Sequence, residues 1–283
     1  MHFLLFSNQN KDPGLEVTDR LAEMIRAKGG SVSLIQEPDE ATDDVIDPEL
    51  MKTVDVVVVL GGDGTLLRAS HAIGKSDVPM IGVNLGTTGF LTEVECGAMG
   101  TMVDRLFAGD YTVETRMKLK GVIRKANGAP AESFTALNDI VVIREGVLRL
   151  IAIKIYVNDI FLDTYEADGV ILATPTGSTG YNLSAGGPIV APQARLIALT
   201  PVSPHSLLRK SLVFDAADRI KIVLEEKRKT QINEAIVSFD GYKNYEISVG
   251  DEVEICASKT VLHLIRLEGR SFYEVIGRKL NPR

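Results

Sequence analysis

Of 283 residues only two are cysteine, Cys96 and Cys256, and only four are histidine. Two cysteines so far apart give no disulfide framework and fit a reducing compartment. Neither residue type recurs at zinc-ligand spacing, so no metal held by the protein alone is expected. No apolar run approaches the roughly 20 residues that a membrane-spanning helix needs. The amino end, Met1-His2-Phe3-Leu4-Leu5-Phe6-Ser7-Asn8, lacks the basic prelude and the length of a secretory signal. The expectation is a soluble cytoplasmic protein with no membrane partner. Basic residues form no stripe interleaved with aromatics, which argues against a nucleic-acid partner. Bases are missing altogether from 37–49, where Glu37, Asp39, Glu40, Asp43, Asp44, Asp47 and Glu49 account for the whole formal charge of −7. The acidity is therefore one local feature, read as a solvated, mobile surface loop.

What the chain has in quantity is apolar material: 45 % of its residues are hydrophobic, ample for two cores at this length. One apolar run is the most telling. Val56-Val57-Val58-Val59-Leu60 is β-branched, uncharged and too short for a helix, so it reads as a buried parallel strand. It leads directly into Gly61-Gly62-Asp63-Gly64-Thr65 and then a helical pattern through Leu66, Leu67, Arg68 and Ala69. Glycines let the backbone approach a ligand, and the unpaired N–H groups of a helix start favour phosphate. Phosphate cradles ending in Gly-Lys-Ser/Thr place a lysine here. Asp63 is a carboxylate instead, which points to proton abstraction or Mg²⁺ binding beside a phosphate, or else to a helix cap.

Two further segments bear on that choice. In 168–188, hydroxyls, glycines and Tyr181 are packed into Thr174-Pro175-Thr176-Gly177-Ser178-Thr179-Gly180-Tyr181-Asn182-Leu183-Ser184, with neither a core pattern nor a linker's monotony. Such donors beside a flat ring suit a nucleotide; a turn-rich hairpin is the plainer alternative. Asn138-Asp139 stands immediately before the apolar run Ile140-Val141-Val142-Ile143, able to grip a ribose or adenine edge or simply to form a turn.

Periodicity divides the chain in two. Over 1–110, strands at Phe3, Val32, Val56 and Met80 alternate with helical stretches, predicting a Rossmann-like α/β domain with a parallel sheet. Ligands on such sheets sit beyond the strand carboxyl ends, where both Gly61-Gly62-Asp63-Gly64-Thr65 and Gly86-Thr87-Thr88-Gly89-Phe90 fall. Over 111–267 the period becomes two, as in Ile151, Ile153, Ile155 and Val157 or Ile220, Ile222 and Leu224, predicting short strands in an all-β, sandwich-like domain. Phe272, Val275, Ile276 and Leu280 then show helical spacing.

Taken together the motifs resemble the NAD kinase family. The matching points are Gly61-Gly62-Asp63-Gly64-Thr65, Asn138-Asp139, Asp168-Gly169, Thr174-Pro175-Thr176-Gly177-Ser178-Thr179, Ser184-Ala185-Gly186-Gly187-Pro188, Pro204-His205-Ser206-Leu207 and Ser238-Phe239-Asp240-Gly241, in the family's order. The glycine-aspartate loop alone is shared with diacylglycerol, sphingosine and phosphofructo-kinases; the threonine-proline-glycine segment discriminates. The resemblance implies Mg²⁺-dependent transfer of a phosphoryl group from ATP or polyphosphate to the 2′-hydroxyl of the adenosine ribose of NAD. It implies Asp63 as the base and Gly61, Gly62, Gly64 and Thr65 at the phosphates. Phe90 falls on the second loop facing the crevice, and Arg68, one helical turn into the next helix, either neutralises a phosphate or is simply a surface helix residue. Asn138, Asp139, Asp168, Thr179, Gly180, Tyr181, Asn182 and Ser184 are implied around NAD. It further implies that the tail 268–283 returns to the first domain, and a homodimer or homotetramer built through the β domain.

This chain departs from the family at several points. Asp139 stands where glutamate is usual, Gly180 where alanine is, and Glu166 where many members carry a base. Lys210 replaces a common proline, and Tyr242 a glutamine or arginine. None removes Asp63. A lipid or sugar kinase, or a dinucleotide sensor that binds without transfer, are the competing readings; the first is disfavoured by 168–188, the second by Asp63.

Overall fold

The alternation in the first third and the period-two pattern beyond it build two different architectures. The computed structural model describes residues 1–37, 45–86, 89–146, 150–205, 210–226, 234–267 and 271–280. Asp39, Glu40, Asp43 and Asp44 of the acidic segment, Thr87-Thr88, and Ser206, Leu207 and Arg209 lie outside them. The chain forms two units, Met1–Arg116 with Leu262–Arg283, and Met117–Val261.

In the first unit, β1 (His2–Ser7), α1 (Glu16–Ala27), β2 (Ser31–Gln36), α2 (Pro48–Met51), β3 (Val56–Gly61), α3 (Asp63–Ala72), β4 (Met80–Asn84), β5 (Val94–Glu95) and α4 (Met99–Ala108) follow in order. The sheet runs β2-β1-β3-β4, all parallel, with Phe3 opposite Val56 and Val57 opposite Met80. Every residue of β3 is buried, as its unbroken apolar run requires. α1 turns Leu21, Ala22 and Ile25 inward and α4 turns Met99, Met102, Val103 and Leu106, each stripe at helical spacing against Phe3, Leu5 and Val58. Strand order reverses between β1 and β3, so the loops after these two strands open on one crevice.

The second unit is antiparallel. Its strands are β6 (Thr112–Arg124, beginning in the first unit), β7 (Glu132–Ala136), β8 (Asp139–Arg144), β9 (Ile151–Val157), β10 (Ile160–Ala167) and β11 (Gly169–Ala173). After the short helix α5 (Tyr181–Ser184) come β12 (Leu196–Val202), β13 (Leu212–Asp215), β14 (Ile220–Glu225), β15 (Glu234–Phe239), β16 (Lys243–Ser248) and β17 (Glu252–Arg266). One sheet runs β13-β12-β11-β8-β15-β16; a second layer contains β10-β9-β14-β17. Ile153, Ile155, Ile220 and Ile222 from one layer pack with Val142, Val170, Leu172 and Val237 from the other, a β sandwich. The expected short strands give way at β17 to 15 residues, because no glycine or proline interrupts 252–266. Its end pairs Leu264 with Met80 within the first unit, and α6 (Phe272–Leu280) follows there.

Candidate active site

The glycine-aspartate loop closes the end of β3 and opens α3. Gly62 precedes the helix and Asp63 is its first residue. The carboxylate does not cap its own helix. It reaches across to the loop after β4, where the Phe90 N–H donates to Oδ2 at 2.7 Å. The Leu91 and Thr92 N–H groups donate to Oδ1 at 3.1 and 3.2 Å, and the Thr92 hydroxyl lies 3.4 Å from it. The two loops expected to share a crevice thus meet at Asp63. Gly89 makes the approach feasible: a Cβ there would fall 1.9 Å from Asp63 Oδ1. A carboxylate offers about four acceptor positions, and this one spends three contacts on Oδ1 but a single one on Oδ2. Among the described residues this leaves Oδ2 with an acceptor position to spare.

Beneath this loop is a network that the sequence did not announce. The N–H of Asn8, just past β1, donates to Leu60 O at 3.0 Å. Its Nδ2 donates to Thr65 Oγ1 at 3.0 Å and to Glu37 Oε2 at 2.6 Å. Glu37 is 4 % exposed and pairs with Arg68, so it leaves the solvated character expected of the acidic segment. Arg68, expected near phosphate, spends its charge at least in part on that buried carboxylate. Lys11, on the same loop as Asn8, holds its ammonium beside the glycine turn: a Cβ on Gly62 would stand 2.8 Å from Nζ and one on Gly86 3.5 Å. At Gly64 no described residue lies near the position of a Cβ.

In the second unit, a cavity of about 510 Å³ takes in Asn138, Asp139 and Tyr181 over an apolar floor of Val141, Ile143 and Ile236. The volume and the few polar groups on an apolar lining suit an adenosine-sized ligand. Asn138 Oδ1 is buried without a hydrogen-bond partner among the described residues. Tyr181 is 40 % exposed, leaving its ring accessible for stacking. The threonine-proline segment is latched onto the same place: Thr174 Oγ1 donates to Leu137 O at 2.6 Å, and the Thr174 N–H to Asn138 O at 2.8 Å. Gly177 lies so close that a Cβ would meet Asn138 O at 2.0 Å.

The remaining expected residues divide. Gly180 faces Asn138, with the position of a Cβ 3.6 Å from its Nδ2. Thr179 donates to Thr176 O at 3.3 Å, and Ser184 is exposed. Asn182 is fully buried and its amide is engaged, donating to Ser178 O and Pro188 O and accepting from the Thr200 hydroxyl at 2.7 Å. Asp168 is not among the residues lining the cavity; it pairs with Arg144 Nε at 2.6 Å.

Asp240 is the residue that motif spacing undervalued. The turn joining β15 and β16 holds Asp240 and Gly241 at φ 55° and 68°, the positive-φ pair of a tight hairpin. Its carboxylate accepts from the Leu137, Asn138 and Asp139 N–H groups at 2.7, 2.7 and 3.0 Å. Burial, and then the Asp240 charge, push the Asp139 carboxyl up to about 7. Burial brings the Lys118 ammonium down to about 8, with Asp240 opposing the shift.

Comparison with known proteins joins the two halves. Residues 6–111 match the ATP-NAD kinase N-terminal domain and residues 137–267 the ATP-NAD kinase C-terminal domain. The chain is 39 % identical over 284 residues to an NAD kinase of Lachnoclostridium phytofermentans, covering 99 % of both. It is 39 % identical over 281 residues to one of Agathobacter rectalis, covering 99 % of this chain and 98 % of that protein. Among solved structures, yeast NADH kinase complexed with NADH superposes with a TM-score of 0.81 at 25 % identity, over 99 % of this chain and 86 % of that one. An NAD kinase from Archaeoglobus fulgidus in complex with ATP gives 0.79 at 27 %, over 98 % of both.

Proposed function

The chain belongs to the NAD kinase family, and from that premise we propose how its residues divide the work of phosphorylating NAD to NADP. A ribose hydroxyl is a weak nucleophile and a phosphoryl donor is highly anionic, so the tasks are positioning, proton removal and charge neutralisation. Asp63 accepts the proton of the 2′-hydroxyl. What supports this is the open lone pair on Oδ2 while Oδ1 anchors the loop after β4. Gly61, Gly62, Gly64 and Thr65 lie against the donor phosphates, with Phe90 at their edge and Arg68 bracing the turn through Glu37.

Asn138 and Asp139 hold the adenosine. The unpartnered Asn138 Oδ1 fits an exocyclic amino donor. Tyr181 stacks, while Thr179, Gly180 and Ser184 shape the wall and the buried Asn182 holds their loop in place. Asp168, set by Arg144, meets the carboxamide end.

Among the described residues no group of three or more acids, histidines or cysteines could cage a metal. Mg²⁺ characteristically takes one or two carboxylates and completes its shell with phosphate oxygens and water, so these residues fit a cation that arrives with the donor. Bound there, it would neutralise charge on the donor oxygens.

The donor is ATP, with polyphosphate as an alternative, and the site of action the cytoplasm, where Cys96 and Cys256 stay unpaired as they are here. A homodimer or homotetramer is assigned through the β unit. The deciding experiment is a product assay with both donors and with NAD and NADH, on the parent and Asp63→Asn. Loss of about 10²–10⁴-fold in kcat is expected of the variant. Undiminished turnover in a folded variant removes Asp63 from the role of base.

A further inference from the structure

The loop Gly61-Gly62-Asp63-Gly64-Thr65 lacks the lysine that a Gly-Lys-Ser/Thr phosphate cradle carries within its own sequence. The fold supplies one from elsewhere. We propose that Lys11, from the loop after β1, is the residue whose ammonium binds a phosphate of the phosphoryl donor at this turn.

Three observations carry the assignment. First, strand order reverses between β1 and β3, so the loops after these strands face the crevice where a doubly wound sheet binds ligands. Lys11 is on one of those loops and Gly62 on the other. Second, the ammonium is already placed beside the turn, near both Gly62 and Gly86, two positions without side chains where a phosphate could approach. The backbone that carries it is fixed from both sides. The Lys11 N–H donates to Asn8 Oδ1 at 3.0 Å, and Asn8 in turn holds Thr65. The neighbouring Asp12 is buried, accepting from the Thr18 N–H at 2.9 Å and from its hydroxyl at 2.7 Å. Third, its charge is available. Arg68, a cation beside the loop, is paired with buried Glu37, and Lys279 lies over the Phe90 ring. Lys11 is exposed and makes no ion pair among the described residues. An anion bound at the head of α3 would therefore meet both helix N–H groups and this ammonium.

The inference rests on the reading of this loop as the donor site, and the test separates the two. Steady-state kinetics with ATP and with polyphosphate are measured on the parent, Lys11→Met, Lys11→Gln and Lys11→Arg. Both neutral variants are expected to raise the donor KM about 10- to 100-fold, the size of a lost charge-assisted contact. KM for NAD should stay within about two-fold, melting should be unchanged because Lys11 is exposed, and Lys11→Arg should recover most of the loss. The penalty should be similar for both donors, since a lysine reads phosphate oxygen and not a base. Unchanged donor KM in the two neutral variants, or an equal loss against NAD, overturns the assignment of Lys11. If Asp63→Asn also turns over normally, the catalytic reading of this loop falls with it; if only that variant loses turnover, the lysine alone was misassigned.

Discussion

In the proposed role Asp63 has a separate duty on each oxygen, and Gly89 is where they can be pulled apart. Gly89→Ala would put a methyl group 1.9 Å from Oδ1, with no left-handed backbone at that position to add a second cause. The carboxylate must shift by the better part of an ångström, and a misplacement of that size costs on the order of 10²-fold. The expected outcome is a kcat reduced by about that factor with NAD affinity intact, checked by turnover and by NAD titration. Asp139 makes a different prediction. Its carboxyl is held protonated up to about 7 against an ordinary value of 3.8. Between those values the folded chain binds a proton that the unfolded chain has released, so this contribution to stability is complete below about pH 4 and lost as pH rises through 7. Asp240 and Lys118 are the charged groups coupled to this site. Lys118 adds a rise only above about pH 8, where the unfolded chain still holds the lysine proton. Urea midpoints at pH 5 and pH 7.5 should therefore differ less in Asp139→Asn than in the parent. An equal difference in both would assign the slope to other groups.

At the scale of elements, the β15–β16 hairpin works as a clamp. Its Asp-Gly turn aims one carboxylate at three consecutive N–H groups that lead into β8. Asp240→Ala leaves those donors unpaired, at a cost on the order of 2–5 kcal/mol. It also removes the charge that helps raise the Asp139 carboxyl, so the pH slope of that group should shrink in the same variant. Denaturant unfolding of Asp240→Ala at two pH values tests both outcomes. The elements themselves were mostly legible: the apolar run at 56–60 is β3, the alternation at 151–157 is β9, and the spacing of Phe272, Val275 and Ile276 falls in α6. α4 was equally readable in Met99, Met102, Val103 and Leu106, a stripe the strand-centred reading passed over. The clamp was not, because its partners lie 101 to 103 residues from Asp240 and no local pattern records that distance. The same holds for Asn8, Glu37 and Lys11, which only the strand order brings to the glycine turn.

For the whole molecule, motif order along the chain is enough to mark the family, since Gly61-Gly62-Asp63-Gly64-Thr65 and 174–179 each rest on a local backbone shape. Association is the property those local patterns leave open, and the surface of the β unit bears on it. Asn158 and Asp159, at φ 50° and 64°, make the tight turn into β10, an edge strand with β9 on its inner side. That turn projects three consecutive apolar residues: Ile160, Phe161 and Leu162 are 74, 52 and 38 % exposed. A monomer usually guards such an edge with charge or proline. The first three positions here are apolar, ahead of Asp163 and with a bulge between it and Phe161, which suits a second copy of the chain meeting the same patch across a two-fold axis. Each substitution on an isologous contact is felt twice, so one buried charge should dissociate it. Light scattering of the parent is expected to give two or four times 30.7 kDa, and Phe161→Glu is expected to lower that mass while leaving the unit folded, because the ring is half in solvent already. A parent that scatters as 30.7 kDa at working concentration, or a Phe161→Glu variant of undiminished mass, would move the interface off this edge.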